Sequence, residues 1–170
     1  MNTTNVVPIP PSYSAQGEFS PDNTMKYLKY LETNGVSTFM TTAGTSQYNL
    51  LSSSEIEELN SCVLSCSGKK IIGLPACSSF AARSFIDNMG SGHENTHYMG
   101  LYPDRFYDNK TVIDYFSRIR EFTENPIYVH GMFMRAGRGG QWNFTSDVLC
   151  ELFEKDVVVG IKEEHSDLAQ

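Results

Sequence analysis

Long apolar runs are missing from this sequence. No stretch approaches the roughly 18 consecutive apolar residues that a membrane-spanning helix needs, so no membrane partner is expected. The N-terminus, Met1-Asn2-Thr3-Thr4, lacks a basic segment and reaches only a short apolar run before Pro8, and it is not read as an export signal. Cysteine is scarce as well. Cys62, Cys66, Cys77 and Cys150 are too few and too scattered for a disulfide framework in 170 residues. Cys62 and Cys66 have a spacing that suits a metal, but no further His or Cys ligands lie nearby, so no metal site is expected. The thiols read as buried groups in a reducing compartment, the cytoplasm. Positive charge is in deficit: 13 Lys and Arg stand against 20 Asp and Glu, a net charge of -7, which argues against nucleic acid as a partner. Gly137-Arg138-Gly139-Gly140 lacks the Gly-Lys-Ser/Thr ending of a nucleotide phosphate loop.

What is present is an ordinary globular balance, 40% hydrophobic and 19% charged, enough for one domain over residues 1–170. Val6-Val7-Pro8-Ile9 reads as a first strand stopped by Pro10-Pro11. Ser20-Pro21-Asp22 has the cap-then-proline pattern of a helix start, and the apolar stripe runs to Asn34-Gly35. Val36 to Met40 is the second strand. Ser52-Ser53-Ser54-Glu55 opens a second helix with a capping-box pattern, ending at Ser67-Gly68. Strands are then expected at Lys70–Leu74, Thr96–Tyr102, Ile127–Met132 and Val157–Ile161. Helices are expected at Phe80–Met89, Asn109–Phe122 and Phe144–Phe153.

Six strands alternating with five helices is the pattern of βαβ units and a parallel sheet. A closed barrel of this kind needs eight strands. Three possibilities stay open: an open doubly wound sheet, a fragment or truncated copy of a barrel, and one piece of a split barrel.

The polar groups that matter sit where strands end. Val157-Val158-Val159-Gly160-Ile161 is long enough for a strand buried on both faces, and Lys162 follows it. An amine pointing into a pocket there loses hydration, its charged form is disfavoured, and it becomes able to attack a carbonyl. A solvated lysine beside Glu163 and Glu164 is the other reading. Gly44-Thr45-Ser46, after the second strand, offers backbone N–H groups and two hydroxyls suited to a small carboxylate, or is only a turn. Tyr128, on the fifth strand, is either a proton-passing phenol or a buried tyrosine. His130 is read first as a core histidine and second as an acid in the pocket. Arg135 and Arg138 can each hold a carboxylate, or stand at the surface.

Taken in order, Gly44-Thr45-Ser46, Leu50-Leu51-Ser52-Ser53-Ser54-Glu55, Tyr128, Arg135-Ala136-Gly137 and Gly160-Ile161-Lys162-Glu163 resemble the dihydrodipicolinate synthase/N-acetylneuraminate lyase family of class I aldolases. The resemblance runs from Val7-Pro8 to Leu168. It implies an α/β fold of the (β/α)8 TIM-barrel type, with about six of the strands in this chain. It also implies a lyase or aldolase acting, without metal or organic cofactor, on pyruvate or a related 2-keto acid. Lys162 would be the Schiff-base nucleophile and Tyr128 the proton relay. Gly44, Thr45 and Ser46 would bind the keto-acid carboxylate, and Arg135 would contact a distal carboxylate or support its loop. The turn departs from the family's Gly-Thr-Thr-Gly-Glu, and Tyr128-Val129-His130-Gly131 from its Tyr-Asn-x-Pro, with about two extra residues before Arg135. Unpaired edges on the first and sixth strands imply a homo-oligomer or association with a complementary chain. A relative that binds a keto acid or another subunit without turnover is the alternative.

Overall fold

The computed structural model describes residues 4–41, 50–75, 78–89, 93–101, 103, 108–131 and 144–164. Expectations placed on the Gly44-Thr45-Ser46 turn, the loop holding Arg135 and Arg138, Cys77, and the strand ends Tyr102 and Met132 lie outside those residues. The chain divides into two compact units, the first residues 1–73 with 92–97 and the second residues 74–91 with 98–170. Among the described residues, no helix is long and apolar enough to cross a membrane.

The first unit is built on three parallel strands, β1 (Val7–Pro8), β2 (Thr38–Thr41) and β3 (Lys69–Gly73). Helix α1 (Pro21–Thr33) starts where expected: the Ser20 side chain accepts from the Asn23 N–H, and Pro21 fills the first turn. It stops because Gly35 adopts φ +84, a left-handed backbone that costs glycine little. That conformation lets the Gly35 N–H reach Glu32 O at 3.0 Å and the Val36 N–H reach Leu31 O at 3.0 Å, satisfying the last carbonyls. Helix α2 (Ser53–Leu64) carries the reciprocal capping box of Ser52 and Glu55. The two helices pack together. Leu28, Leu59, Val63, Phe39 and Ile72 are all within 1% of full burial, and side chains of this kind contribute roughly 1.5–3 kcal/mol each. Thr41 Oγ1 donates to Asn60 Oδ1 at 2.6 Å, a buried bond that ties α2 to β2.

The second unit holds α3 (Ser79–Met89), α4 (Asn109–Arg120), α5 (Ser146–Glu154), β5 (Ile127–Gly131), β6 (Gly160–Glu163) and most of β4 (Thr96–Leu101). Asp108 caps α4 and Thr145 caps α5. Within each unit the strands run parallel, and neighbours follow chain order. Phe116, fully buried on α4, lies against Gly100: a Cβ there would stand 2.6 Å from the ring, so only glycine lets β4 and α4 approach this closely.

The sixth strand departs from the expectation in two ways. It begins at Gly160 rather than Val157, because α5 ends in a turn with Asp156 at φ +53, and the Val157 and Val158 N–H groups both reach back to Leu152 O. Their backbone is committed to closing the helix. Ladder bonding starts only with the Val159 N–H on Ile127 O at 2.8 Å. Nor is the strand buried on both faces. Val157 and Val158 are buried, but Val159 is 55% and Ile161 37% exposed.

Candidate active site

The site residues that can be placed lie on β5 and β6, and parallel register decides which of them meet. Tyr128 stands opposite Gly160, Val129 opposite Ile161, His130 opposite Lys162, and Gly131 opposite Glu163. Alternation puts Tyr128 and His130 on one face of β5, with Gly160 and Lys162 beside them on the same face of β6. Ile127 and Val129 point the other way and are fully buried.

Lys162 is therefore held by a specific partner. Its Nζ lies 2.7 Å from Nε2 of His130, whose side chain is 2% exposed, while the lysine side chain is 30% exposed. The amine also donates to Glu164 Oε1, and that oxygen lies 3.0 Å from the same imidazole nitrogen. Burial holds the Lys162 amine below the usual lysine range, against an opposing pull from the Glu163 carboxylate. The three groups thus form a closed cluster of amine, imidazole and carboxylate.

Two glycines make room for it. A Cβ on Gly160 would come within 2.5 Å of the Tyr128 ring, so the tyrosine lies flush against the lysine strand only because residue 160 has no side chain. A Cβ on Gly131 would come within 2.5 Å of Glu163 Oε2. Glu163 Oε1 in turn accepts from the Glu164 N–H at 2.8 Å, and the Glu164 N–H also reaches Gly131 O at 3.1 Å. These bonds fix the chain immediately after Lys162, and with it the carboxylate that meets the amine.

Of the residues expected at the site, Lys162 and Tyr128 are placed on adjacent strands. Gly44, Thr45, Ser46 and Arg135 lie outside the described residues. His130 is buried, as a core histidine is, but its ring is spent on Lys162. The signal that could have found it was the two-residue alternation from Tyr128, combined with a register that sequence does not state. Cys62 and Cys66 are buried in the first unit, where burial, followed by the charge of Glu32, pushes Cys66 up to about 11. Cys150, also expected to be buried, is exposed on α5, because it faces away from the stripe formed by Val148 and Leu152.

No protein-family model and no curated protein matches this chain. Solved structures do match. YagE, a prophage protein of the dihydrodipicolinic acid synthase family from E. coli K12, in complex with pyruvate, superposes with a TM-score of 0.82 over 98% of this chain at 13% identity. This chain has the fold of the dihydrodipicolinate synthase/N-acetylneuraminate lyase aldolases. The Ruminococcus gnavus sialic acid aldolase matches that fold with a TM-score of 0.80 over 96% of the chain at 15% identity. Dihydrodipicolinate synthase from Oceanobacillus iheyensis matches at 0.75 over 95%, with 18% identity. The aldolase fold is an α/β barrel of the (β/α)8 type, and six of its strands are present among the described residues. The chain spans 56%, 55% and 53% of the lengths of these three proteins. In this fold β6 ends at the face where βα loops converge, and Lys162 stands at that end.

Proposed function

We propose that this chain is a Schiff-base-forming lyase or aldolase that acts on pyruvate or a pyruvate-derived 2-keto acid through Lys162. The observation that carries the reading is the amine itself. It sits at the C-terminal end of β6, held below the lysine range by burial and hydrogen-bonded to a buried histidine. An amine so placed gives up its proton more readily than a solvated lysine and attacks the keto carbon. The iminium that results is an electron sink in the protein, so the reaction calls for no metal or organic cofactor. Gly44, Thr45 and Ser46 are proposed to hold the keto-acid carboxylate, Arg135 a distal carboxylate, and Tyr128 to relay protons near the bound substrate. The thiols of Cys62, Cys66 and Cys150 support a cytoplasmic location. The exposed Val159 and Ile161 on β6 support association with a further copy or a complementary chain.

The same exposed strand favours a second reading, a partial barrel that binds a keto acid or a subunit without turnover. Pyruvate and borohydride, followed by intact mass, separate the two. A stable single adduct that Lys162→Ala abolishes is the expected result. No adduct anywhere between about pH 6 and 9, the range that brackets a depressed lysine, would overturn the enzyme reading.

A further inference from the structure

We propose that His130 is the acid–base partner of Lys162: its Nε2 takes the proton from the lysine ammonium and returns it to the hydroxyl that leaves as water when the Schiff base forms. The inference rests on the proposal that Lys162 is the nucleophile, and it concerns the group that touches the reacting nitrogen.

Three observations carry it. Register sets His130 directly opposite Lys162, so the contact is made by paired backbones and does not depend on two long side chains finding each other. The 2.7 Å separation of Nζ and Nε2 is a hydrogen bond along which a proton can pass. And Nε2 has both a donor and an acceptor within reach. Neutral His130 accepts from the amine, and protonated His130 donates to Glu164 Oε1 at 3.0 Å. Both charge states of the imidazole are satisfied in place, which a merely structural histidine does not require. At 2% exposure the imidazole is also shielded from bulk water, so its proton stays within the site rather than passing to solvent.

The step balances. The ammonium passes a proton to His130 and becomes a free amine. Its lone pair forms the N–C bond to the keto carbon while the carbonyl π electrons move to oxygen. One N–H proton shifts to that oxygen, giving a neutral carbinolamine. The His130 proton is then added to the hydroxyl, the C–O bond breaks, and water leaves an iminium on Lys162. Ammonium and ketone have become iminium and water, with one positive charge on each side, and His130 is neutral again.

The titratable groups facing His130 are Lys162 and Glu164 from β6 and its extension, with Glu163 beside them at Gly131, and Tyr128 on its own strand. From β4 its register neighbour is Leu101, which does not titrate. The loops after β4 and β5 lie outside the described residues.

Replacement His130→Gln keeps a polar side chain but removes the base. Adduct formation with pyruvate and borohydride should slow on the order of 100-fold at neutral pH, and its pH profile should lose the inflection that His130 contributes. Added imidazole should restore part of the rate in His130→Ala. A His130→Gln protein with the parent rate and pH profile overturns the proposal. Acetic anhydride labelling, read at Lys162 by peptide mass, needs no keto acid. In His130→Gln the rate of labelling at neutral pH should fall severalfold, and an unchanged rate overturns the role of His130 whatever the adduct experiment returns. A reduced labelling rate with no adduct in the parent protein means that the keto-acid reading fails and the His130 role stands. Should His130→Gln not fold, the unaltered protein decides. The ¹⁵N titration of His130 and the labelling curve of Lys162 share an inflection if the two exchange a proton, and independent inflections overturn it.

Discussion

His97 lies half-buried on β4, and burial, reinforced by the ammonium of Lys69, pushes its imidazole down to about 4 from its ordinary 6.5. The charged form is therefore disfavoured by folding. Between pH 6.5 and 4 the unfolded chain binds more protons than the folded one, so stability is lost as pH falls through that window and recovered as it rises. The expected result is a urea midpoint clearly lower at pH 5 than at pH 7, with a smaller difference in His97→Asn. An unchanged difference would mean that His97 is not the group responsible. His130, also buried, shows how residue-scale reading reached its limit. Alternation alone places Tyr128 and His130 on one face of a strand. Which of them meets Lys162 depends on how β5 and β6 are paired, and pairing is a property of two backbones that neither segment states by itself. The carboxylate-binding role expected of Gly44, Thr45 and Ser46 came from a hydroxyl-rich turn and its resemblance to a family turn, and those residues lie outside the described ones.

Helix starts were the most legible elements, because a cap is a local bargain between neighbouring residues. Ser20, Ser52, Asp108 and Thr145 each supply a side-chain oxygen to a backbone N–H three residues ahead. The Ser52 cap yields a prediction at this scale. Its Oγ accepts from the Glu55 N–H at 3.3 Å, and Glu55 Oε2 accepts from the Ser52 N–H at 2.8 Å. Ser52→Ala should cost about 1 kcal/mol in chemical denaturation, with Glu55→Gln costing less because an amide oxygen still accepts. A loss below a few tenths of a kcal/mol for Ser52→Ala would show that the box does not hold the helix start. The beginning of β6 was not legible for a related reason. Val157 and Val158 have every preference of a strand, yet the turn that ends α5 uses their N–H groups first. Composition records what a residue favours, not which partner reaches its backbone.

At the scale of the molecule, the alternation of strand and helix was readable throughout, because each βα unit announces itself by a change of hydrophobic period. Among the described residues, the six strands and, within each unit, their parallel direction follow the sequence expectation. The division into two compact units was not legible, since β4 runs without a break in composition from His97 in one unit to Tyr98 in the other. We propose that residues 1–170 nonetheless unfold as one domain, through that shared strand. Calorimetry should give a single transition, and circular dichroism and tyrosine fluorescence should coincide; two resolved transitions would reject the proposal. Within each unit every strand lies beside the one made just before it, and this has a consequence for the time at which the protein takes shape. Within a unit, a chain leaving the ribosome can lay each new strand on a neighbour already in place. Lys162 joins His130 only when β6 docks on β5, after α1 to α5 have all been synthesised. The Lys162–His130 pair is thus completed only after every element before β6 has been made.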